Sequence, residues 1–283
     1  MKSSPQADCN SNRVSNLNPI ESALNLTDTH CHLADPKLRG DLDAILERAR
    51  QAGLRTMISV GAIGSIECDR ETVAIAERHA DVCAAIGVHP HDAKDCDDDR
   101  LAQLRDLAQS PRVVAIGESG LDFHYMHSPI EAQEAALRRH LELAMEVKRP
   151  IVIHCRDAEA RIVAIVREVG MPSRGGVIHC FTGDAAAARE FLALGFHISF
   201  SGIVTFKSAA TLREAVPIVP DDRLLAETDA PFLAPEPYRG KRNEPAFVAR
   251  TFEVLARLRN VDCDALSAQI ATNAARLFQI PAA

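Results

Sequence analysis

Residues 151–180, IVIHCRDAEARIVAIVREVGMPSRGGVIHC, hold the pattern that decides the fold. One short apolar run ends at His154, a segment with the apolar spacing of a helix follows, and a second apolar run ends at His179. A strand, a crossover helix and a second, parallel strand together need about 30 residues. The stretch therefore predicts a βαβ unit with a histidine at the carboxyl end of each strand.

The same alternation continues through most of the chain. Segments of helical period, among them residues 41–52 and 129–149, separate eight apolar runs. The runs end at His30, Val60, His89, Glu118, His154, His179, Phe200 and Asp229. Eight such units predict an α/β protein with a (β/α)8 TIM barrel and functional side chains at the carboxyl ends of its strands. An open, doubly wound sheet is the alternative, but no glycine-rich GxGxxG turn follows the first run.

Composition sets the class of protein. The chain has 283 residues, of which 47% are hydrophobic and 25% charged, as is typical of a globular domain. Residues 1–23 are polar and rich in Ser and Asn, so we expect a disordered N-terminal arm that is not a secretory signal. Residues 24–283 are expected to form one catalytic barrel domain. No run approaches the 18 or so apolar residues that a membrane-spanning helix requires, and we expect no membrane contact.

The net charge and the cysteines limit the kinds of partner and of cellular compartment that fit this chain. With 32 basic and 39 acidic residues the formal net charge is −7, so any contact with nucleic acid has to be local. The absence of Trp and an aromatic content of 4% disfavour a module that works only by stacking on single-stranded bases. Eight cysteines without a CxxC pair indicate free thiols in a reducing cytoplasm. Nothing in the sequence indicates an obligate protein partner.

Histidines are concentrated at the predicted strand ends. Five of the 11 lie at or just after such an end, namely His30, His32, His89, His154 and His179. His30 and His32 share one side of a strand because side chains two residues apart have the same face. Glu118 and Asp229 follow two other strands and add carboxylates. Neutral nitrogens with anionic oxygens suit Zn²⁺ or Mn²⁺, and Mg²⁺ with more water in its shell.

The candidate ligands exceed the needs of one catalytic ion, so we predict two divalent ions. The simplest division places His30, His32 and Asp229 on the first ion. His154 and His179 hold the second, and Glu118 bridges the two. Asp229 is also the candidate general base, and Glu118 the second catalytic carboxylate. Six unrelated buried polar groups are the alternative, which is disfavoured because so many ionisable groups on one rim need a cation or one another.

Four neighbours of these residues complete the prediction. Glu227 shares the face of Asp229 by alternation and could accept a hydrogen bond from a ligand histidine, with a role in the fold as the alternative. The others are Cys31, Cys155 and Cys180, each adjacent to a candidate ligand. Alternation predicts that these thiols face away from the site, which disfavours a cysteine nucleophile.

The ordered motifs carry a family resemblance. They are DTHCHL (28–33), GVHPH (87–91), GESGLDFHY (117–125), IVIHCRDA (151–158), GVIHCFTG (176–183), LLAETDAPFLAP (224–235), YRGKRNEP (238–245) and NAARLF (273–278). Together they resemble the TatD family of metal-dependent deoxyribonucleases, a branch of the amidohydrolase-type barrels. The resemblance implies a (β/α)8 fold, a two-metal site on the same six ligands, and hydrolysis of phosphodiester bonds in DNA. Ser119 stands where the family usually has an apolar residue or Cys, and this difference affects none of the six candidate ligands.

A phosphodiester substrate requires donors around the metals. The YRGKRNEP loop supplies Arg239, Lys241 and Arg242, which could pair with phosphate oxygens or could be solvated surface charges. Arg156 and His89 are further candidates for substrate binding. Tyr125 could lie near a base or simply close its loop. A local basic rim on an acidic protein favours single-stranded ends, and we expect a 3′-5′ exonuclease whose partner is DNA and could also be RNA.

Two other functions fit parts of the pattern. The same metals could polarise a carbonyl group, as in an amidase, an esterase or an aminoacyl-tRNA deacylase, because a fold does not determine its chemistry. A barrel that has kept its fold as an interaction module is the second alternative. The complete set of six candidate ligands disfavours it, since a degenerate copy is expected to have lost at least one.

Overall fold

The computed structural model of the protein describes residues 25–280. Its sheet has eight strands: β1 Leu26–Cys31, β2 Leu54–Val60, β3 Val82–Ile86, β4 Val113–Asp122, β5 Ile151–Arg156, β6 Gly176–Ile178, β7 Phe196–Phe200 and β8 Leu224–Ala226. Each strand pairs in parallel with the next in chain order, from β1 to β8. The predicted (β/α)8 barrel is confirmed, and the doubly wound alternative is wrong.

Helices lie between the strands and after the last one. They are α1 Pro36–Arg39, α2 Leu42–Gln51, α3 Ile66–Arg78, α4 Asp98–Leu107, α5 Ile130–Glu146, α6 Glu159–Val169, α7 Ala185–Ala193, α8 Ala210–Ala215, α9 Val248–Arg259 and α10 Cys263–Phe278. The longer helices bury one face, as α2 does with Ile45, Leu46 and Ala49 at helical spacing. None of the helices within residues 25–280 is long and apolar enough to cross a bilayer.

The barrel closes where β1 meets the loop after β8. The backbone N–H of Asp229 donates to the carbonyl of His30 at 2.8 Å, and that of His32 donates to the carbonyl of Ala230 at 2.7 Å. The buried Asp28 carboxylate also accepts from the backbone N–H and hydroxyl of Thr228. These bonds bring the first and last strands together at the carboxyl end of the barrel, where the candidate ligands lie.

Several strand ends differ from those predicted. Strand β3 ends at Ile86 and β8 at Ala226, so His89 and Asp229 both lie in the loops that follow. Strand β4 continues past Glu118 to Asp122. Apolar runs do not distinguish the last strand residue from the first buried loop residue, because both are shielded from water. The arm predicted for residues 1–23 lies outside the described part of the chain.

Candidate metal centre

A cavity of about 650 Å³ opens at the carboxyl end of the barrel. Residues at or after all eight strands line it, which is the position expected for the active site of this fold. The lining includes imidazoles, carboxylates and two cationic side chains, Arg156 and Lys94. Protein groups of opposite charge thus face a shared space large enough for part of a substrate.

Glu118 lies at the centre of the cluster with 2% of its surface exposed. Its Oε2 is 3.3 Å from Nε2 of His30 and 3.9 Å from Nε2 of His32. Its Oε1 is 2.6 Å from Nε2 of His179 and 2.9 Å from Nδ1 of His154. The two oxygens of one carboxylate therefore face two pairs of imidazoles, which adjoin where the rings of His30 and His179 stack with centroids 3.9 Å apart.

The first group includes Asp229 from the loop after β8. Oδ1 of Asp229 is 3.3 Å from Nε2 of His32 and 3.7 Å from Nε2 of His30. The two imidazole nitrogens are themselves 3.2 Å apart. One ligand atom from each of these three residues falls within 4.8 Å of the others, so they could hold one cation together. This is the set that the HxH motif and the strand-eight aspartate predict.

The second group contains a histidine for which the sequence suggests another role. His89, Glu118 and His154 also place three ligand atoms within 4.8 Å, and Nε2 of His89 is 3.4 Å from Oε1 of Glu118. His179 contacts the same oxygen, and its Nε2 is 3.4 Å from Nδ1 of His154. The structure thus brings all six predicted ligands together. It places His89 among them rather than at a distance suited to substrate binding alone.

The donor atoms fit divalent cations. Several imidazole nitrogens and carboxylate oxygens converge in a buried space, where their lone pairs oppose one another unless a cation or protons lie between them. Imidazole and carboxylate ligands suit Zn²⁺, Mn²⁺ and related ions. The residues present therefore fit bound metal.

The carboxylates of the cluster hold negative charge, which outweighs burial and raises the pKa values of His32, His154 and His179. Burial raises the pKa of Glu118, but the adjacent His179, His89 and His30 outweigh it and hold the pKa well below its usual range. The pKa of Asp229 is likewise lowered, because its hydrogen bond to His32 and the nearby imidazoles outweigh burial. Burial lowers the pKa of His30 and favours the neutral ring. Two ionised carboxylates in a buried cluster attract cations strongly.

Asp122 supports the cluster from behind His154, and the sequence reasoning missed it. Its Oδ2 lies 3.2 Å from Nε2 of His154 and 2.9 Å from Nε2 of His91. Its Oδ1 accepts from the backbone N–H groups of His124 and Tyr125, at 3.0 and 2.8 Å. Outer carboxylates of this kind orient metal-binding imidazoles. The signal was available, because Asp122 follows Glu118 by four residues in GESGLD and would share its face if the predicted strand were extended beyond Glu118.

Two further contacts hold ligand rings in place. Nδ1 of His32 is 3.0 Å from the carbonyl of Val60, which leaves Nε2 directed at the cluster. Oε1 of Glu227 lies 3.3 Å from Nδ1 of His179 and accepts from the backbone N–H of Cys180 at 2.6 Å. Glu227 therefore lies beside a candidate ligand histidine, in the position suggested by alternation.

The cysteines show where alternation fails. Cys155 and Cys180 both line the cavity, so the prediction that they face away is wrong. Cys180 lies beyond the end of β6 in a left-handed conformation with φ 42°, where strand periodicity does not apply. Burial raises the pKa of both thiols, which keeps them protonated and makes them poor nucleophiles. All seven cysteines within residues 25–280 are free of disulfide bonds.

The predicted substrate-binding cations separate into two classes. Arg156 lines the cavity, and within the described chain it forms no ion pair. Arg242 instead pairs with Asp41 at 2.7 Å and donates to the carbonyl of Lys37. The other two, Arg239 and Lys241, are absent from the cavity lining. Arg239 lies over the ring of Phe206 at 4.1 Å, and Lys241 is exposed.

Lys94 is a cavity-lining cation that the sequence reasoning did not single out. It is exposed, and its Nζ lies 3.5 Å from the carbonyl of His127. Its position after the GVHPH motif is the signal that could have identified it, because loops after barrel strands carry functional side chains.

Comparison with known proteins agrees with this geometry. The sequence model of the family described as "TatD related DNase" matches residues 27–279. The chain is 43% identical over 259 residues to the uncharacterized metal-dependent hydrolase YabD of Bacillus subtilis, an alignment that covers 90% of this chain and 99% of YabD. It is 40% identical over 257 residues to the 3'-5' ssDNA/RNA exonuclease TatD of Erwinia amylovora, covering 89% and 98% of the two chains.

A solved structure extends the likeness to the fold. The crystal structure of YjjV, a TatD homologue from Escherichia coli, superimposes with a TM-score of 0.85 at 33% identity and covers 90% of this chain and 98% of its own. The match in sequence and fold spans the barrel and the loops that carry the histidines and carboxylates described above. The chain therefore belongs to the TatD-related DNase family of metal-dependent hydrolases.

Proposed function

We propose that this protein is a deoxyribonuclease that removes nucleotides from the 3′ end of single-stranded DNA, with RNA as a second possible substrate. The observation that carries the proposal is the divided carboxylate of Glu118, whose two oxygens face two groups of imidazoles. A centre of this kind suits hydrolysis in which attacking and leaving oxygens are both stabilised. The TatD of Erwinia amylovora, named as a 3'-5' ssDNA/RNA exonuclease, supports the choice of substrate.

The proposed ligands follow the two groups. His30, His32 and Asp229 would hold one divalent ion. His89, His154 and His179 would hold the other, with Glu118 shared between them. When bound, two ions such as Mg²⁺, Mn²⁺ or Zn²⁺ activate water and polarise the phosphate, acting as Lewis acids. The protein supplies the ligand geometry, and the contacts of Asp122, Glu227 and Val60 keep the rings oriented.

Asp229 is the proposed general base. Its carboxylate remains ionised because its pKa is lowered, and it lines the cavity from the loop after β8. A carboxylate in this position can take the proton of the attacking water as the bond to phosphorus forms. The bond to the 3′ oxygen of the preceding nucleotide then breaks, and that oxygen leaves with a proton from solvent.

The cations of the cavity bind the substrate in this proposal. Arg156 and Lys94 would contact the phosphate oxygens, since both line the cavity. Arg239 and Lys241 would meet the strand only beyond the cavity, which they do not line. We assign Arg242 to the fold because Asp41 already neutralises it. The free cysteines of the described chain fit a reducing compartment such as the cytoplasm.

The test uses chelator-stripped protein and single-stranded DNA labelled at its 3′ or its 5′ end. Mg²⁺, Mn²⁺ and Zn²⁺ are added back singly. We expect metal-dependent, stepwise shortening from the 3′ end, lost in Asp229→Asn and retained in Asp81→Asn. Asp81 is a matched control because it precedes β3 at the opposite end of the barrel, where it pairs with Arg50 at 2.8 Å. Cleavage of carboxylic esters or amides without any cleavage of DNA would contradict the nuclease and favour a carbonyl hydrolase.

A further inference from the structure

Exposed apolar side chains gather at the mouth of the cavity. Among residues 25–280, five large hydrophobic side chains are exposed: Ile63, Tyr125, Met126, Phe232 and Val261. Ile63, Tyr125 and Phe232 line the cavity, and Met126 follows Tyr125 in the same loop. Scattered exposed apolar residues are ordinary, but a cluster around a polar site indicates contact with a ligand.

The two aromatic members are held by the same residues that shape the metal centre. The backbone N–H of Tyr125 donates to Asp122 at 2.8 Å. The backbone N–H of Phe232 donates to the carbonyl of Asp229 at 2.8 Å, and its carbonyl accepts from the buried side chain of Asn243 at 2.6 Å. Both rings are therefore exposed on backbones that are already fixed. A binding surface prepared in this way loses little entropy when a ligand arrives.

Tyr125 and Phe232 lie on opposite sides of the mouth. They follow β4 and β8, which are four strands apart in an eight-stranded barrel. The ring of Phe232 meets His32 edge-on, with centroids 5.9 Å apart. The ring of Tyr125 meets His91 edge-on at 5.6 Å and lies parallel to that of His127. Phe232 thus contacts a candidate ligand directly, whereas Tyr125 contacts His91, which shares the Asp122 carboxylate with the candidate ligand His154.

We propose that Tyr125 and Phe232 stack on unpaired nucleobases on the two sides of the scissile phosphate, and so make the enzyme selective for single-stranded ends. The proposal rests on the proposed nuclease function. Aromatic rings stack on every base and are therefore tolerant of sequence. A base in a duplex is already stacked and paired, so it would first have to be pulled out at an energetic cost. Phosphate contacts alone, through Arg156 and Lys94, would not distinguish single-stranded from duplex DNA, because both carry the same phosphates.

The experiment combines variants with altered substrates. Tyr125→Leu and Phe232→Leu remove the rings and keep an apolar side chain, while Tyr125→Phe keeps the ring. Val261→Ala is the control, because Val261 is exposed and lies between α9 and α10, away from the cavity lining. The substrates are one single-stranded oligonucleotide and its copy in which the two 3′-terminal bases are replaced by base-free tetrahydrofuran residues. KM and kcat are measured separately for each pair, with the melting temperature as a check of folding.

We expect removal of the two bases to raise KM of the wild type by about 5- to 150-fold for each stacked base. Each leucine variant should lose the factor for one stacked base on the normal strand, and on the base-free strand it should bind as weakly as the wild type does. Tyr125→Phe and Val261→Ala should behave as the wild type. If the increase in KM caused by mutation and the increase caused by base removal simply multiply, the stacking proposal is overturned. A wild type whose KM is the same with and without the bases would also overturn it.

The two proposals fail differently. A wild type that shortens both strands at equal rates leaves the nuclease standing and removes the stacking site. A wild type that cleaves neither strand with Mg²⁺, Mn²⁺ or Zn²⁺ removes the nuclease and the stacking site with it.

Discussion

Asp122→Asn tests whether the carboxylate behind His154 controls the metal centre. Oδ2 of Asp122 lies close to ring nitrogens of His154 and His91, and Oδ1 accepts two backbone N–H groups. Both ring nitrogens of His154 face carboxylates, but a cation bound at Nδ1 would take the place of a proton there, and the ring proton would then stay on Nε2 because the ionised Asp122 only accepts. The lone pair of Nδ1 then faces Glu118, 2.9 Å away. This tautomer is the one that can bind a metal through Nδ1.

An amide cannot satisfy both sides of this site. If its NH₂ group faces His154, two donors oppose each other and the proton is driven to Nδ1, where it blocks ligation. If the amide is turned around, its NH₂ group opposes the backbone N–H groups of His124 and Tyr125 instead. Loss of an outer partner of a metal ligand typically weakens metal binding 10- to 100-fold, which corresponds to about 1.4–2.7 kcal/mol. We expect a loss in this range for Asp122→Asn.

The assay is a competition titration. Chelator-stripped wild type, Asp122→Asn and the matched control Asp81→Asn are titrated with Zn²⁺ or Mn²⁺ against a chromophoric chelator. The control should bind as the wild type does, because Asp81 pairs with Arg50 at the amino end of the barrel. Metal affinity of a folded Asp122→Asn protein within about threefold of the wild type would refute the reasoning.

Two more predictions concern the metal centre and its cavity, and a third concerns His140, which is buried on α5. Glu118→Gln should lower metal affinity more than Asp122→Asn does, because the substitution removes the carboxylate shared by both groups of ligands. Mass spectrometry of the variant measures its metal content, and two tightly bound ions would contradict the prediction. Arg156→Gln should raise KM for DNA about 10-fold or more with metal content unchanged, whereas an unchanged KM would exclude a phosphate contact. Burial lowers the pKa of His140 to about 4 from 6.5, so the unfolded chain takes up a proton in that window that the folded chain does not. Stability should therefore fall as pH drops from 6.5 to 4, by up to about 3 kcal/mol from this group. In urea melts His140→Gln should show a shallower pH dependence, and an unaltered slope would contradict it.

Most of the barrel and part of the site could be predicted from local patterns. The βαβ repeat and the HxH motif depend on periodicities of two and 3.6 residues, which survive in a single sequence. Asp122 could have been found by extending the alternation from Glu118. The cavity-facing Cys180 could not, because it lies after the end of β6, where backbone angles and not strand period set the direction of a side chain.

The basic loop after β8 illustrates what pattern reasoning misses. As a sequence, Arg239, Lys241 and Arg242 form one cluster of positive charge. In the fold, Arg242 meets Asp41, which lies 201 residues earlier in the chain, and Arg239 lies over Phe206. A charge that finds a partner across the barrel is no longer available to a ligand. No local window of sequence contains that information.

By itself, the sequence determined the order of strands and helices and the residues that follow each strand, because burial patterns repeat over a few residues and parallel strands place their carboxyl ends on one rim. Only the tertiary structure decided which of those residues meet. It joined His89 to Glu118, placed Asp122 behind His154 and exposed Tyr125 and Phe232 at the mouth. Those outcomes depend on distances between loops far apart in the chain, and such distances are set by the closure of the whole barrel.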